Sequence, residues 1–448
     1  MAVVVMMRTM EDAQHRNPQA TKKSASGARC GRNIDSAVRT VPRFAAFVLL
    51  AAAVAPLWAE DWPQFLGPER NGVYRGPALS EAWGPQGPRV VWRKNVGQGF
   101  SGPVVAQGRI IVFHRVANEE VVEALDPRTG ATQWRYAYTT SYRDDFGFDE
   151  GPRAVPVVAN GIVYTFGAQG QLHAIDLAKG TRVWSVDTVQ RYRVPKGFFG
   201  AAGSPLVEDG RVLANVGGPN AGIVAFDAKT GQALWTATND EASYSSAAGA
   251  TIAGRRVAIF LTRAELVGLD PASGKVLFQR PWRARMAASV NVATPLVIGD
   301  LLFVSAEYGP GAGVFRLDGT MLNQLWASDE VLTNHYATSV HYDGNLYGFH
   351  GRQEFGQSFR AVELRTGKVR WNQDRFLAGT VTLAGDRLVI LRERGELVLA
   401  PATPEGFKPL ARAQVLPGTV RAYPALSDGF LYARNENTLI CLDLRRQQ

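Results

Sequence analysis

From Pro103 onward short apolar runs alternate with polar turns, and within each run apolar and polar positions tend to alternate with period two. The first instance is Val104-Val-Ala106, a gap closed by Gly108, then Arg109-Ile-Ile-Val-Phe113. The same phrase, a proline or small residue, a few apolar residues, a glycine and a second apolar run, begins again at Pro156, Pro205, Ala250, Pro295, Ser339, Thr380 and Pro424. Its later glycines are Gly161, Gly210, Gly254, Gly299, Gly344, Gly385 and Gly429. Period-two alternation sends successive side chains to opposite faces, so each instance predicts two strands joined by a glycine turn.

A second phrase interleaves with the first. An acid is followed eight residues later by an aromatic at Asp126/Trp134, Asp176/Trp184, Asp227/Trp235, Asp270/Phe278, Asp318/Trp326 and Glu363/Trp371. A glycine stands four residues after the acid at Gly130, Gly180, Gly231, Gly274 and Gly367, whereas the fifth copy has Leu322 there. An Asp side chain bonds the backbone amides just beyond it, and glycine takes positive φ, so each copy predicts a tight hairpin. Two hairpins make a four-stranded sheet, and the aromatic positions 92, 134, 184, 235, 278, 326 and 371 lie 42 to 51 residues apart, which is propeller-blade spacing. The last unit, Pro424 to Leu444, stops short of a fourth strand, and Arg89-Val-Val-Trp92-Arg-Lys94 supplies it. The predicted fold is therefore all-β: one eight-bladed β-propeller of four-stranded antiparallel blades over residues 60–448, closed by its N-terminal strand. The repeat aromatics are expected to wedge between blades, which removes them from the candidate site.

Residues 1–59 predict a leader and signal peptide. A 12-residue apolar run at 44–55 follows Arg39 and Arg43, and Ala59 precedes Glu60 as the expected cleavage point. Export to the periplasm or beyond is the implication, with no transmembrane segment after cleavage. The polar stretch before the run is longer than a signal peptide needs, which predicts a translation start near Val38 or Val41. No cysteine stands close behind the run to carry a lipid. Cys30 would leave with the leader, and Cys441, alternating with apolar neighbours, reads as a buried inert thiol.

Charge narrows the partners. The formal +9 is concentrated in the leader, where eight Lys/Arg face three Asp/Glu, leaving 41 against 37 for residues 60–448. That surplus is too small for nucleic-acid binding. Gly97-Gln-Gly99-Phe-Ser-Gly102 has the dinucleotide-binding spacing but runs into Pro103 and a strand instead of opening a helix. His335 and His341 sit on one strand face about 20 Å apart, too far to share a metal.

The repeats, with Asp61-Trp-Pro-Gln-Phe-Leu-Gly-Pro-Glu-Arg-Asn-Gly72, Asp149-Glu-Gly-Pro-Arg153 and Tyr347-Gly-Phe-His-Gly-Arg352-Gln-Glu354, resemble the pyrroloquinoline-quinone-like β-propeller superfamily over residues 60–448. The three longer stretches are similar to an exported bacterial group within it. That superfamily includes quinoprotein dehydrogenases and the outer-membrane assembly lipoprotein, so the resemblance implies two functions. One is a binding scaffold, expected to be monomeric, that engages a protein or glycan. The other is a pyrroloquinoline-quinone- and calcium-dependent oxidoreductase acting on alcohols or sugars. Quinoprotein alcohol dehydrogenases place an adjacent cysteine pair against the cofactor and wall it in with insertions. Neither is found here, so no cofactor and no metal are expected, and the scaffold is preferred.

Propeller geometry gathers the links between blades, and those between a blade's two hairpins, on one face, and both classes are expected to be long. Innermost strands begin at the channel mouth on that face. Arg153, His335, Tyr336 and Arg421 are placed at such starts, and Glu307, Tyr308, His350, Arg352, Glu354 and Tyr423 complete the candidate ligand-binding set. No catalytic residue is singled out. Arginine and tyrosine suit recognition of a peptide, sugar or carboxylate.

Overall fold

Each interleaved pair of phrases folds into one blade. The computed structural model describes residues 60–286 and 291–446; the leader, its apolar run, the Ala59 cleavage point and Cys30 lie outside them. Blade 1 consists of Val104–Ala106, Arg109–Val116, Glu119–Leu125 and Thr132–Thr139, paired antiparallel in that order. Blades 2 to 7 occupy residues 157–187, 206–237, 248–281, 296–328, 340–373 and 379–414. Blade 8 takes three strands from 425–443 and its fourth from Arg89–Asn95, with Trp92 opposite Cys441 and Asn95 opposite Thr438. The ring is thus closed by pairing residues near opposite ends of the described chain, and Arg89 adds an ion pair to Asp443 at 2.8 Å. Cys441 is fully buried, and burial pushes its thiol up to about 12.

The glycine turns have the geometry that hairpins of right-twisted strands require. Gln107 and Gly108, at φ 49° and 70°, form a two-residue turn with both φ positive, as do Asn160-Gly161 and Asp428-Gly429.

The acid-to-aromatic phrase couples blades. Asp126 Oδ1 accepts the amides of Arg128 at 2.9 Å and Thr129 at 3.0 Å, shaping the turn. The carbonyl of the residue after the acid is left pointing out, and the tryptophan of the preceding blade donates to it: Trp92 to Pro127, Trp134 to Leu177, Trp184 to Ala228, Trp235 to Pro271 and Trp326 to Leu364, at 2.8 to 3.2 Å. The indole also lies on the turn glycine, so that a Cβ at Gly180 would stand 2.6 Å from Trp134. Two departures from the repeat meet at one interface. Blade 4 carries Phe278, which has no N–H to donate, and it packs among Leu317 and Leu322 of blade 5, whose turn lacks the glycine.

Two features differ from the sequence reading. Links between a blade's two hairpins are short, two to four residues, except for seven at 351–357 in blade 6; the long links, five to eighteen residues, run from blade to blade. The irregular face is therefore built mainly by one loop class. Second, residues 60–74 form a strap across the channel at the opposite face. Trp62 pairs with Val105 of blade 1, Pro63 accepts from Val158 of blade 2, Gly72 accepts from Leu383 of blade 7, and the Tyr74 hydroxyl accepts from Gly429 of blade 8. Val73–Tyr74 adds a short parallel strand inside blade 7. Arg70, only 3% exposed, reaches up the channel and donates to the carbonyls of Ser204, Pro205 and Ala247 and to Gln64 Oε1. A stretch of sequence outside the repeats thus plugs the ring.

Candidate functional site

Where the innermost strands begin, on the face opposite the plug, the channel widens into a cavity of about 730 Å³, a size suited to small ligands or a short chain segment. Its walls come from the segments leading into all eight blades, for example Phe100, Arg153, Ser204, Ser246, Val292, His335, Ala378 and Arg421. Its floor includes Phe65 of the strap, packed edge-on against Tyr423 with ring centroids 4.8 Å apart. The Tyr423 hydroxyl accepts the Thr338 amide at 2.5 Å, tying blade 8 to blade 6 across the ring. The strap makes the channel a blind cup.

Of the ten candidate residues, Arg153, Tyr308, His335, Tyr336, Arg352, Glu354, Arg421 and Tyr423 line this cup, whereas Glu307 and His350 do not. His350 ends a strand and faces Thr333, whose amide and hydroxyl lie 3.1 Å from its Nδ1. Burial and then Arg360 push its imidazole down to about 4.

One wall is a hydrogen-bonded chain. The Gln353 amide donates to His335 Nδ1 at 3.3 Å, which leaves the neutral ring's proton on Nε2, facing the Tyr308 hydroxyl at 3.2 Å. Tyr308 in turn donates to Glu354 Oε1 at 3.0 Å. The charge states fit: burial holds His335 below its ordinary value and raises Tyr308. Glu354 is held low; burial opposes this but is outweighed by its own loop amide, Tyr308, His335 and Arg352. Arg352 lies over the Tyr308 and Phe355 rings at 4.6 and 4.7 Å. Arg421 Nε donates to Glu393 at 2.7 Å, and Gln353 joins the same carboxylate.

The opposite wall is aromatic, and here sequence reasoning fell short. Phe146 and Phe148 stand about half exposed on the rim, stacked with centroids 6.3 Å apart and packed on Phe199. Their loop is rigid because the fully buried Asp144 carboxylate accepts the amides of Phe146, Phe148 and Asp149 and pairs with Arg153 at 3.4 Å. The Asp144-to-Arg153 segment is conspicuous in the sequence, but only the fold shows that its phenylalanines face the channel.

Among the described residues no group of three or more His, Cys, Asp and Glu is placed to hold a metal ion. The cup's two carboxylates are also taken: Glu354 lies 3.6 Å from Arg352 and Glu393 2.7 Å from Arg421. Calcium needs about six to eight oxygen ligands, so this donor set does not fit it.

A family model described as Outer membrane protein assembly factor BamB matches residues 117–373 and 281–448. A protein of that description from Burkholderia pseudomallei is 25% identical over 280 residues, covering 54% of this chain and 69% of its own length. A quinohemoprotein alcohol dehydrogenase of Pseudomonas putida is 32% identical over 138 residues, but the match covers 30% of this chain and 18% of that enzyme. Among solved structures, the quinohemoprotein alcohol dehydrogenase of Comamonas testosteroni superposes with a TM-score of 0.62 at 16% identity, over 87% of this chain and 81% of that one. The likeness to that structure is one of fold.

Proposed function

The chain belongs to the family described as Outer membrane protein assembly factor BamB, and we propose that it is an exported binding scaffold that engages a protein or glycan through its irregular face and the cup at the centre of that face. The observation that carries this reading is the cup itself: a blind cavity floored by Phe65, walled by all eight blades and rimmed by exposed phenylalanines on a rigid loop. Aromatic residues, phenylalanine among them, and arginine are enriched at protein interfaces. The periplasm or the cell exterior is the place for such a scaffold. No helix among the described residues is long and apolar enough to cross a membrane.

The quinoprotein relatives motivate a second reading, a quinone- and calcium-dependent oxidoreductase. The arginines of the cup suit the carboxylates of such a quinone, but the carboxylates beside them are engaged with those arginines, and Cys441, the one described cysteine, is buried in blade 8. Titrating the purified protein with pyrroloquinoline quinone and calcium, then assaying dye reduction with alcohols and sugars, separates the two. The scaffold reading predicts no turnover. Saturable quinone binding with alcohol-dependent dye reduction would overturn it.

A further inference from the structure

The cup has an uneven chemistry that narrows what it takes. Four arginines line it, Arg153, Arg352, Arg394 and Arg421, against two glutamates, Glu354 and Glu393. Two of these arginines flank a single ring: the guanidinium carbons of Arg153 and Arg421 lie 5.6 and 5.4 Å from the Phe100 centroid. Each also reaches a rim ring, Arg153 over Phe199 at 5.6 Å and Arg421 over Phe148 at 5.7 Å. Arginine and phenylalanine thus alternate from the hydrogen-bonded wall to the aromatic one.

Arg153 is held through its terminal nitrogens, by the Asp149 carbonyl at 2.9 Å and by Asp144 and the Gly151 carbonyl at 3.4 Å, whereas Arg421 is fixed by its inner nitrogen and leaves capacity toward the cavity. Arg421 is held through Nε by Glu393, and its two terminal nitrogens have no hydrogen-bond partner among the described residues. The Arg421 terminal nitrogens are donors suited to an oxygen-bearing group.

Resting on the binding-scaffold reading, we propose that the cup recognises a carboxylate carried on an apolar body, the carboxylate held by the terminal nitrogens of Arg421 beside Phe100 and the body seated against Phe148, Phe146 and Phe199. A planar guanidinium with both terminal nitrogens available matches a carboxylate in a bidentate manner. A dianionic phosphate suits the cup less, because Glu354 and Glu393 share it. The apolar rim gives the body a surface that a free inorganic anion would not use. The same chemistry is offered by a small organic acid and by the free C-terminus of a polypeptide ending in an apolar residue.

The test is calorimetric titration of the purified protein with N-acetyl-leucine and its neutral amide, and with a tetra-alanyl-leucine peptide bearing either a free or an amidated C-terminus. The free acid of at least one pair binds about ten- to a hundred-fold tighter than its amide, the range set by a charge-assisted hydrogen bond. Arg421→Gln abolishes that preference, and Phe148→Ala, at an exposed rim position, weakens acid and amide alike. A preference in the peptide pair alone identifies the source as a chain terminus, and one in both pairs admits small acids. Equal affinity of acid and amide, no binding by either pair, or a preference that survives Arg421→Gln overturns the proposal. Should Arg421→Gln fail to fold, the acid-to-amide ratio in the unaltered protein and in Phe148→Ala still decides it. The scaffold reading stands or falls separately, on whether partners contact the irregular face.

Discussion

The Trp134 indole covers Gly180, the turn glycine of the next blade, and donates its N–H to the Leu177 carbonyl at 2.8 Å. The contact explains why acid, glycine and tryptophan recur together: the acid shapes a turn whose carbonyl and glycine receive the preceding blade's ring. Trp134→Ala is expected to cost about 3 kcal/mol by loss of packing, and Gly180→Ala about 1–3 kcal/mol by overlap and positive φ. In the double variant the overlap is gone, so the total falls short of the sum by about 1 kcal/mol. Urea unfolding of the four proteins measures this, and strict additivity would show that ring and glycine do not touch.

Arg70 plugs the channel through carbonyls of blades 3 and 4. Arg70→Ala strips these buried acceptors of their donor and is expected to cost about 3 kcal/mol. Arg75→Ala, which removes only an exposed pair with Glu69 at 2.8 Å, changes stability by no more than about 0.5 kcal/mol. The same urea series compares the two.

Acid stability should reflect His173, which is 3% exposed and stacked on Tyr138 with ring centroids 4.1 Å apart. Tyr136 lies 3.1 Å from its Nδ1, and Tyr138 donates to buried Glu120. Burial and then Arg182 push its imidazole down to about 4, against about 6.5 in the unfolded chain. The unfolded chain therefore binds a proton between those values that the fold does not. The contribution is complete above about pH 6.5 and is lost as pH falls to about 4, by about 3 kcal/mol. His350 shifts in the same direction. His173→Phe keeps the ring stack and should flatten the pH dependence of the urea midpoint in that window; an unchanged slope would remove His173 as a cause.

The blades, their number and the closing strand at Arg89–Asn95 were legible because a repeat reports its own period, and the missing strand of the last unit names its replacement. Repeat phase also located Arg153, Tyr336 and Arg421 at strand entrances, where the channel mouth must be. Glu307 misses the cup although its neighbour Tyr308 lines it, since both sit in the turn at 307–310, where Tyr308 takes a left-handed φ of 66° that the repeat pattern does not reveal. Phe65 and Arg70 were illegible as channel residues: the strap belongs to no repeat, and its course depends on contacts with blades more than 100 residues away, as in Arg70 to Ser204. The rim phenylalanines were visible as residues but not as a wall, because the buried Asp144 that turns their loop inward is defined only by the folded chain.

Site-specific photo-crosslinking in an exporting bacterium shows which face partners engage. A photoreactive phenylalanine analogue replaces Phe355, 76% exposed beside the cup, or Lys229, in a turn of the opposite face. Discrete covalent adducts from position 355 and none from position 229 are the expected result. Adducts from position 229 with none from position 355 would contradict it.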